Sequence, residues 1–232
     1  MQRFWDERAR EDAFFFVDDR LEYGHPDVER FFLEGEKALD AILGELGVAL
    51  QGDERVVEVG CGLGRITRAI AGRAAHVWAL DVSPEMLERA RNLNTELDNV
   101  EWLHGDGRSL RPIPDGCATA CFSHVVFQHV PDPAIMLDYV REMGRVLRPG
   151  GWAAFQVSND PTIHRPRGGM EGIKRRALSL VGRAPRGQRD PAWLGSAVDL
   201  EDLRAAAQEG GTQVERLLHE GTQFCLVLLR KA

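Results

Sequence analysis

The chain has 232 residues, 44% hydrophobic and 28% charged, with a formal net charge of −7. That length and composition suit one globular domain with an elaboration, and the acidic total argues against a nucleic-acid binder as a whole. No run of about 18 apolar residues is present, and Met1-Gln2-Arg3-Phe4-Trp5 lacks the apolar core of a secretory leader, so a cytoplasmic place is expected. Cys61, Cys117, Cys121 and Cys225 fall at no metal-binding spacing and are expected to be free thiols, with no metal.

Residues 1–50 read as a helical cap. Phe4, Trp5, Arg8, Ala9, Ala13 and Phe16 share one side of a helix over 3–17, which ends in the run Phe14-Phe15-Phe16. A second helix over 27–46 carries Phe31, Leu39, Ile42, Leu43 and Leu46 at helical period and stops at Gly47 or Gly52. Strands and helices then alternate across a core at 54–157. A strand at 55–59 is followed by a helix at 65–73, and a strand at 76–81 by a helix that Ser83-Pro84 opens. Strands are predicted at 100–104 and 118–124. Asp132-Pro133 starts a helix that Pro149-Gly150-Gly151 stops, and a strand follows at 152–157.

Residues 158–197 break this rhythm and read as an insertion or lid. Between Arg165 and Arg189 there are eight basic residues and one acid, which leaves the rest of the chain about twice as acidic as its net charge. That stretch could meet an acidic substrate, a membrane surface or RNA, or simply be solvated. Over 198–232, Asp199 caps a helix to about Gln208. Strands at 213–219 and 223–230 then form a hairpin around Glu220-Gly221-Thr222. The alternation predicts a single α/β domain with a parallel sheet and helices on both faces. The ligand then belongs outside the carboxyl ends of the strands, where the glycine loop, Asp81, Asp106 and Ser123-His124 all fall.

The loop itself reads Glu58-Val59-Gly60-Cys61-Gly62-Leu63-Gly64-Arg65. Glycine lets a ligand approach the main chain closely. A dinucleotide loop needs a third glycine where Arg65 stands, and no Gly-Lys-Ser/Thr of a P-loop is present. Five segments in order resemble the class I S-adenosyl-L-methionine-dependent methyltransferases, within their small-molecule group. They are Val57–Arg65, Asp81 at a strand end, Gly105-Asp106-Gly107, Phe122–Val130 and Arg145–Gly151. The resemblance covers about 54–157 and the terminal hairpin in outline. It departs at Thr119, where the family often has aspartate, and at 159–197, which has no counterpart.

The resemblance implies a Rossmann-like seven-stranded, mostly parallel sheet of order 3-2-1-4-5-7-6 with strand 7 antiparallel. It implies S-adenosyl-L-methionine as cofactor, S-adenosyl-L-homocysteine as product, and methyl transfer to a hydroxyl or amine of a small molecule such as a secondary metabolite, sugar or lipid-linked acceptor. Asp81 would accept from the ribose hydroxyls and Asp106 from the adenine amine, with Gly107 leaving room for the ring. Gly60 and Gly62 would let the backbone meet the methionine moiety, Cys61 and Gly64 would bind the cofactor beside them, Arg65 would meet its carboxylate, and Glu58 its amine or the loop. Val82 and Met86 would pack on the adenosine, and Ser123 and His124 would shape the pocket. His129 is a candidate base or a brace for its loop, and Trp5 with Phe14–Phe16 would cap the pocket or pack on the domain edge. The alternatives are a binding or interaction protein of the same fold without catalysis and, disfavoured by the missing glycine, a nicotinamide-dependent dehydrogenase. The oligomeric state is left open.

Overall fold

The computed structural model describes residues 1–164 and 190–232. The basic stretch expected to form a lid, 165–189, lies outside the described residues. Helices α1 (Gln2–Val17) and α2 (Val28–Leu46) precede strand β1 (Arg55–Val59). Next come α3 (Thr67–Ala71), β2 (His76–Asp81), α4 (Pro84–Leu93), β3 (Val100–His104) and β4 (Ala118–Ser123). A single 3-10 turn at Phe127–His129 leads to α5 (Pro133–Val146) and β5 (Leu147–Val157). After the undescribed stretch come α6 (Pro191–Leu194), α7 (Leu200–Glu209), β6 (Thr212–Leu218) and β7 (Cys225–Lys231).

The seven strands form one sheet in the order β3-β2-β1-β4-β5-β7-β6. The pairings from β3 through β5 are parallel, and β7 runs antiparallel to both β5 and β6. This is the expected Rossmann-like fold. Alternate residues of β1 serve opposite faces: Val57 and Val59 join the core under α5 and α7, and Val56 joins the core under α2 and α3. A third, smaller core of Ala9, Ala13, Leu21, Phe31, Leu63 and Met86 seats the helical cap directly on the glycine loop and α4. Thr119, where the resemblance departs, bridges strands instead: its Oγ1 accepts from Arg55 N at 2.9 Å and lies 3.3 Å from Arg55 O.

Local differences from the sequence reading have physical causes. Helix α1 is broken at Asp12, whose backbone is extended (φ −163°, ψ 86°). Its carboxylate accepts from Phe15 N and Gly24 N, so it restarts the helix and ties down the turn that follows. Helix α3 is five residues long, not the nine of 65–73, and no side chain caps its start. Strand β5 begins at Leu147, so Pro149-Gly150-Gly151 lies on a strand rather than ending a helix. The hairpin connection spans 219–224, longer than the tight turn expected.

Candidate functional site

The carboxyl ends of β1, β2 and β4 open onto one cavity under the cap. Gly60, Cys61, Gly62, Glu58 and Arg65 line it from the glycine loop, and Asp81, Val82 and Met86 from β2 and α4. His124, Val125, Val126, His129 and Val130 enter from the segment after β4, Gly105 and Gly107 from the turn after β3, and Tyr139 from α5. Met1 and, from α1, Trp5, Phe16 and Val17 close it.

Asp81 ties the loop to β2. Its Oδ2 accepts from Gly62 N at 2.9 Å and its Oδ1 from Ser83 N at 2.8 Å. Burial pushes its carboxyl up, and those two hydrogen bonds oppose the shift. Each oxygen keeps a lone pair for a hydroxyl donor. Ser83 caps α4 by accepting from Met86 N, and its hydroxyl donates to Asp6 of α1 at 2.6 Å. The cap is therefore hydrogen-bonded to the helix that follows Asp81, and Arg10 pairs with Glu85 at 3.1 Å alongside.

Three residues of this lining each carry a buried polar atom without a hydrogen-bond partner: Glu58 Oε2, Arg65 Nη1 and His124 Nδ1. Burial raises the Glu58 carboxyl to about 7, with Thr67 and Arg65 opposing and Asp81 reinforcing. Burial lowers Arg65, while Asp18 supports its charge from 3.6 Å, too far for a hydrogen bond. His124 is lowered to about 4, by burial first and then by Arg65 and Arg20, so it is neutral near pH 7. Burial also pushes the Cys61 thiol well up, which leaves it unreactive.

Of the residues expected at the site, Glu58, Gly60, Cys61, Gly62, Arg65, Asp81, Val82, Met86, Gly107 and His129 line the cavity. Gly64, Asp106 and Ser123 do not. Gly64 faces Asn94 and Trp102, where a Cβ would lie 2.8 Å from each. Ser123 Oγ donates to Val59 O at 3.0 Å and pins β4 to β1. The Asp106 carboxylate turns back to accept from Arg108 N, Ser109 N and Ser109 Oγ. Partial burial opposes, but these bonds hold its carboxyl below the usual range.

Of the aromatic run, Phe16 faces the cavity, while Phe14 packs on Phe31 and Phe15 on Tyr23. The sequence reading missed Tyr139, Val125, Val126 and Val130. Tyr139 was hidden in the apolar stripe of α5, and the valines carried no signal of their own. Val125 is held at φ 58°, a strained conformation for a β-branched residue.

No group of three or more His, Cys, Asp or Glu among the described residues is placed to hold a metal, and no helix among them is long and apolar enough to cross a membrane.

Residues 57–155 match the family model described as "Methyltransferase domain". Among curated proteins the chain is 34% identical over 135 residues to a demethylmenaquinone methyltransferase of Clavibacter sepedonicus, covering 58% of this chain and 54% of that protein. It is 34% identical over 105 residues to a ubiquinone biosynthesis O-methyltransferase of Xylella fastidiosa, covering 42% and 39%. The chain thus spans about half or less of the length of these two relatives. Among solved structures, the magnesium protoporphyrin IX methyltransferase of Synechocystis with bound SAH superposes with a TM-score of 0.63 at 14% identity, covering 100% of this chain and 97% of that one. The glycine loop, the acid ending β2 and the sheet order belong together with this match: the segment 57–155 matches a methyltransferase domain, on a fold shared with solved S-adenosylmethionine-dependent methyltransferases.

Proposed function

We propose that the protein transfers a methyl group from S-adenosylmethionine to a hydroxyl or amine of a small, flat, largely apolar molecule. The carrying observation is the trio of unpartnered buried atoms, one carboxylate acceptor, one guanidinium donor and one imidazole nitrogen, carried by three residues that line one cavity. Leaving such groups unpaired costs about 1–3 kcal/mol each. A ligand end carrying both an ammonium and a carboxylate answers Glu58 and Arg65 together, and the amino-acid end of the cofactor has that chemistry. Asp81 suits the ribose hydroxyls. Val82, Met86 and Gly107 offer an apolar, open slot for the base, and Asp106 supports the turn beside it.

When bound, the cofactor supplies a sulfonium-activated methyl group, so the chain's own task is alignment and exclusion of water. Trp5, Phe16, Val17, Val126, Val130 and Tyr139 form the remaining wall, and none of them carries a charge. That wall favours a neutral ring system, in keeping with relatives named demethylmenaquinone methyltransferase and ubiquinone biosynthesis O-methyltransferase. The cap, hydrogen-bonded to α4 through Asp6, shields the reacting centre.

Calorimetry with S-adenosylhomocysteine tests the reading directly. Asp81→Ala should weaken binding by about 2 kcal/mol, roughly 30-fold, through loss of charge-assisted hydrogen bonds and of the loop's tie. Absence of binding by the unaltered protein to both the cofactor and its demethylated product would sink the proposal.

A further inference from the structure

His129 sits where α6, the returning leg of the insertion, meets the cavity wall. Its ring packs edge-on to Trp5, with centroids 5.5 Å apart, and tilted against Trp193, also at 5.5 Å. Trp193 in turn packs on Phe16 at 5.7 Å. Trp193 therefore backs two cavity-lining side chains without lining the cavity itself. The leg is fixed close by: Ser196 Oγ donates to Val130 O at 2.7 Å, and a Cβ on Gly195 would lie 1.6 Å from Gln128 O.

The polarity of every hydrogen bond around His129 can be assigned, because the network ends on backbone atoms at both sides. Gln156 Oε1 accepts from Val125 N at 3.1 Å, and its Nε2 donates to Gln223 O at 2.7 Å, which fixes that amide's orientation. The same Nε2 donates to Gln128 Oε1 at 2.7 Å. Gln128 therefore turns its NH2 group to His129 Nε2, 3.2 Å away, and Nε2 must accept. At the other side, His129 Nδ1 lies 3.0 Å from Trp193 O, a carbonyl that only accepts, so Nδ1 carries the proton. Two independent backbone anchors specify one tautomer.

We propose that His129 is a positioning residue rather than a base: held as the Nδ1–H tautomer by the Gln156–Gln128 relay, it anchors Trp193 and thereby sets the Phe16–Trp5 wall against which the acceptor ring lies. Its Nε2 lone pair is already taken by Gln128, so receiving a substrate proton there would place two donors face to face and break the relay. Burial keeps the ring neutral, with the Trp193 carbonyl and Asp19 opposing and His164 adding to the effect. The relay's far end also holds Val125 in its strained conformation, so the segment after β4 and the insertion's returning leg are set together.

The inference rests on the cavity serving methyl transfer, and the two are separable by experiment. Nitrogen-15 NMR of the histidine-labelled, unaltered protein should show His129 neutral at pH 7, protonated on Nδ1 and bare on Nε2. Fluorotryptophan NMR, with Trp193 assigned through Trp193→Phe, supplies a second readout. His129→Asn, whose amide nitrogen stands where Nδ1 does, should leave the Trp193 signal near its native position. His129→Gln, whose amide nitrogen stands nearer Nε2, should shift or broaden it. An Nε2–H tautomer, or a Trp193 signal that responds alike to both replacements, would overturn the proposal. If the tautomer is as stated and S-adenosylhomocysteine does not bind, the methyl-transfer reading falls, and with it the acceptor-wall role.

Discussion

Glu58→Gln should make the ligand-free protein more stable above pH 7 and at the same time loosen its hold on the cofactor. Burial raises the Glu58 carboxyl to about 7 in the folded chain, against an ordinary 4.5. The folded state therefore binds the extra proton between those two values. The stability linked to Glu58 is fully present below about pH 4.5 and is lost as pH rises through about 7. At pH 8 the ionised, buried carboxylate costs up to about 3 kcal/mol relative to a group that cannot ionise. Urea unfolding at pH 5 and pH 8 measures this: the two proteins should differ little at pH 5, with the variant ahead at pH 8. The other titrating groups, including Asp81 and His124, are common to both proteins, so the difference isolates Glu58. A variant no more stable than the native chain at pH 8 would show that Glu58 ionises without strain.

The binding half of the same experiment has the opposite sign. An ionised Glu58 is the form that attracts an ammonium, so native affinity for S-adenosylhomocysteine should rise between pH 6 and pH 8, and the variant's profile should be flatter. The residue that costs stability is then the one that supplies binding, a trade common at functional sites. The buried Oε2 points to it: that atom has no partner at hydrogen-bonding geometry, and Thr67 and Arg65 beside the carboxylate offset only part of the cost of its charge.

What the sequence disclosed depended on range. The strand, glycine loop and Asp81 are consecutive or near-consecutive features, and period and residue type locate them. The order of the sheet, with β7 antiparallel between β5 and β6, was read through resemblance, because alternating patterns do not specify neighbours. Asp106 was expected to face the adenine amine, and in the structure its carboxylate accepts from its own turn. A free Asp-Gly turn satisfies its own carboxylate locally, and Ser109 three residues on completes that ring of donors. Tyr139 was invisible because a helical stripe does not distinguish a core residue from one at the stripe's cavity end. The tautomer of His129 depends on Gln156 and Gln223, 27 and 94 residues further on, and no local pattern carries that dependence. The strained Val125 likewise has no signature, since β-branched residues ordinarily argue against such a backbone.

Gly60→Ala should be the most damaging small change in the loop. Gly60 stands at φ 76°, and a Cβ there would lie 2.3 Å from Val126 Cγ2 and 2.6 Å from Val126 Cγ1. The backbone term alone is about 1–2 kcal/mol for a left-handed alanine. Overpacking adds about 1–3 kcal/mol, because Val126 has little room to move. It follows the strained Val125, whose N–H is held by Gln156, and it precedes the Phe127–His129 turn. A loss of about 3 kcal/mol would lower the melting temperature by roughly 10 °C in a chain of this size.

Val126→Ala separates the two terms. It removes the two methyl groups that meet the new Cβ most closely, keeps the Val126 Cβ at 3.0 Å from it, and leaves the backbone strain untouched. The double variant should therefore lose about 1–2 kcal/mol less than the sum of the two single changes, which a double-mutant cycle by urea unfolding measures directly. Strict additivity would show that Val126 does not confine the loop, and the close seat of the β4 segment on the glycine loop would then be no part of what holds the cavity open. A coupling of the expected size would show that the glycine at position 60 answers to a neighbour 66 residues away as well as to its own backbone. In that case the first glycine of the loop is required by the protein's own wall before any ligand arrives.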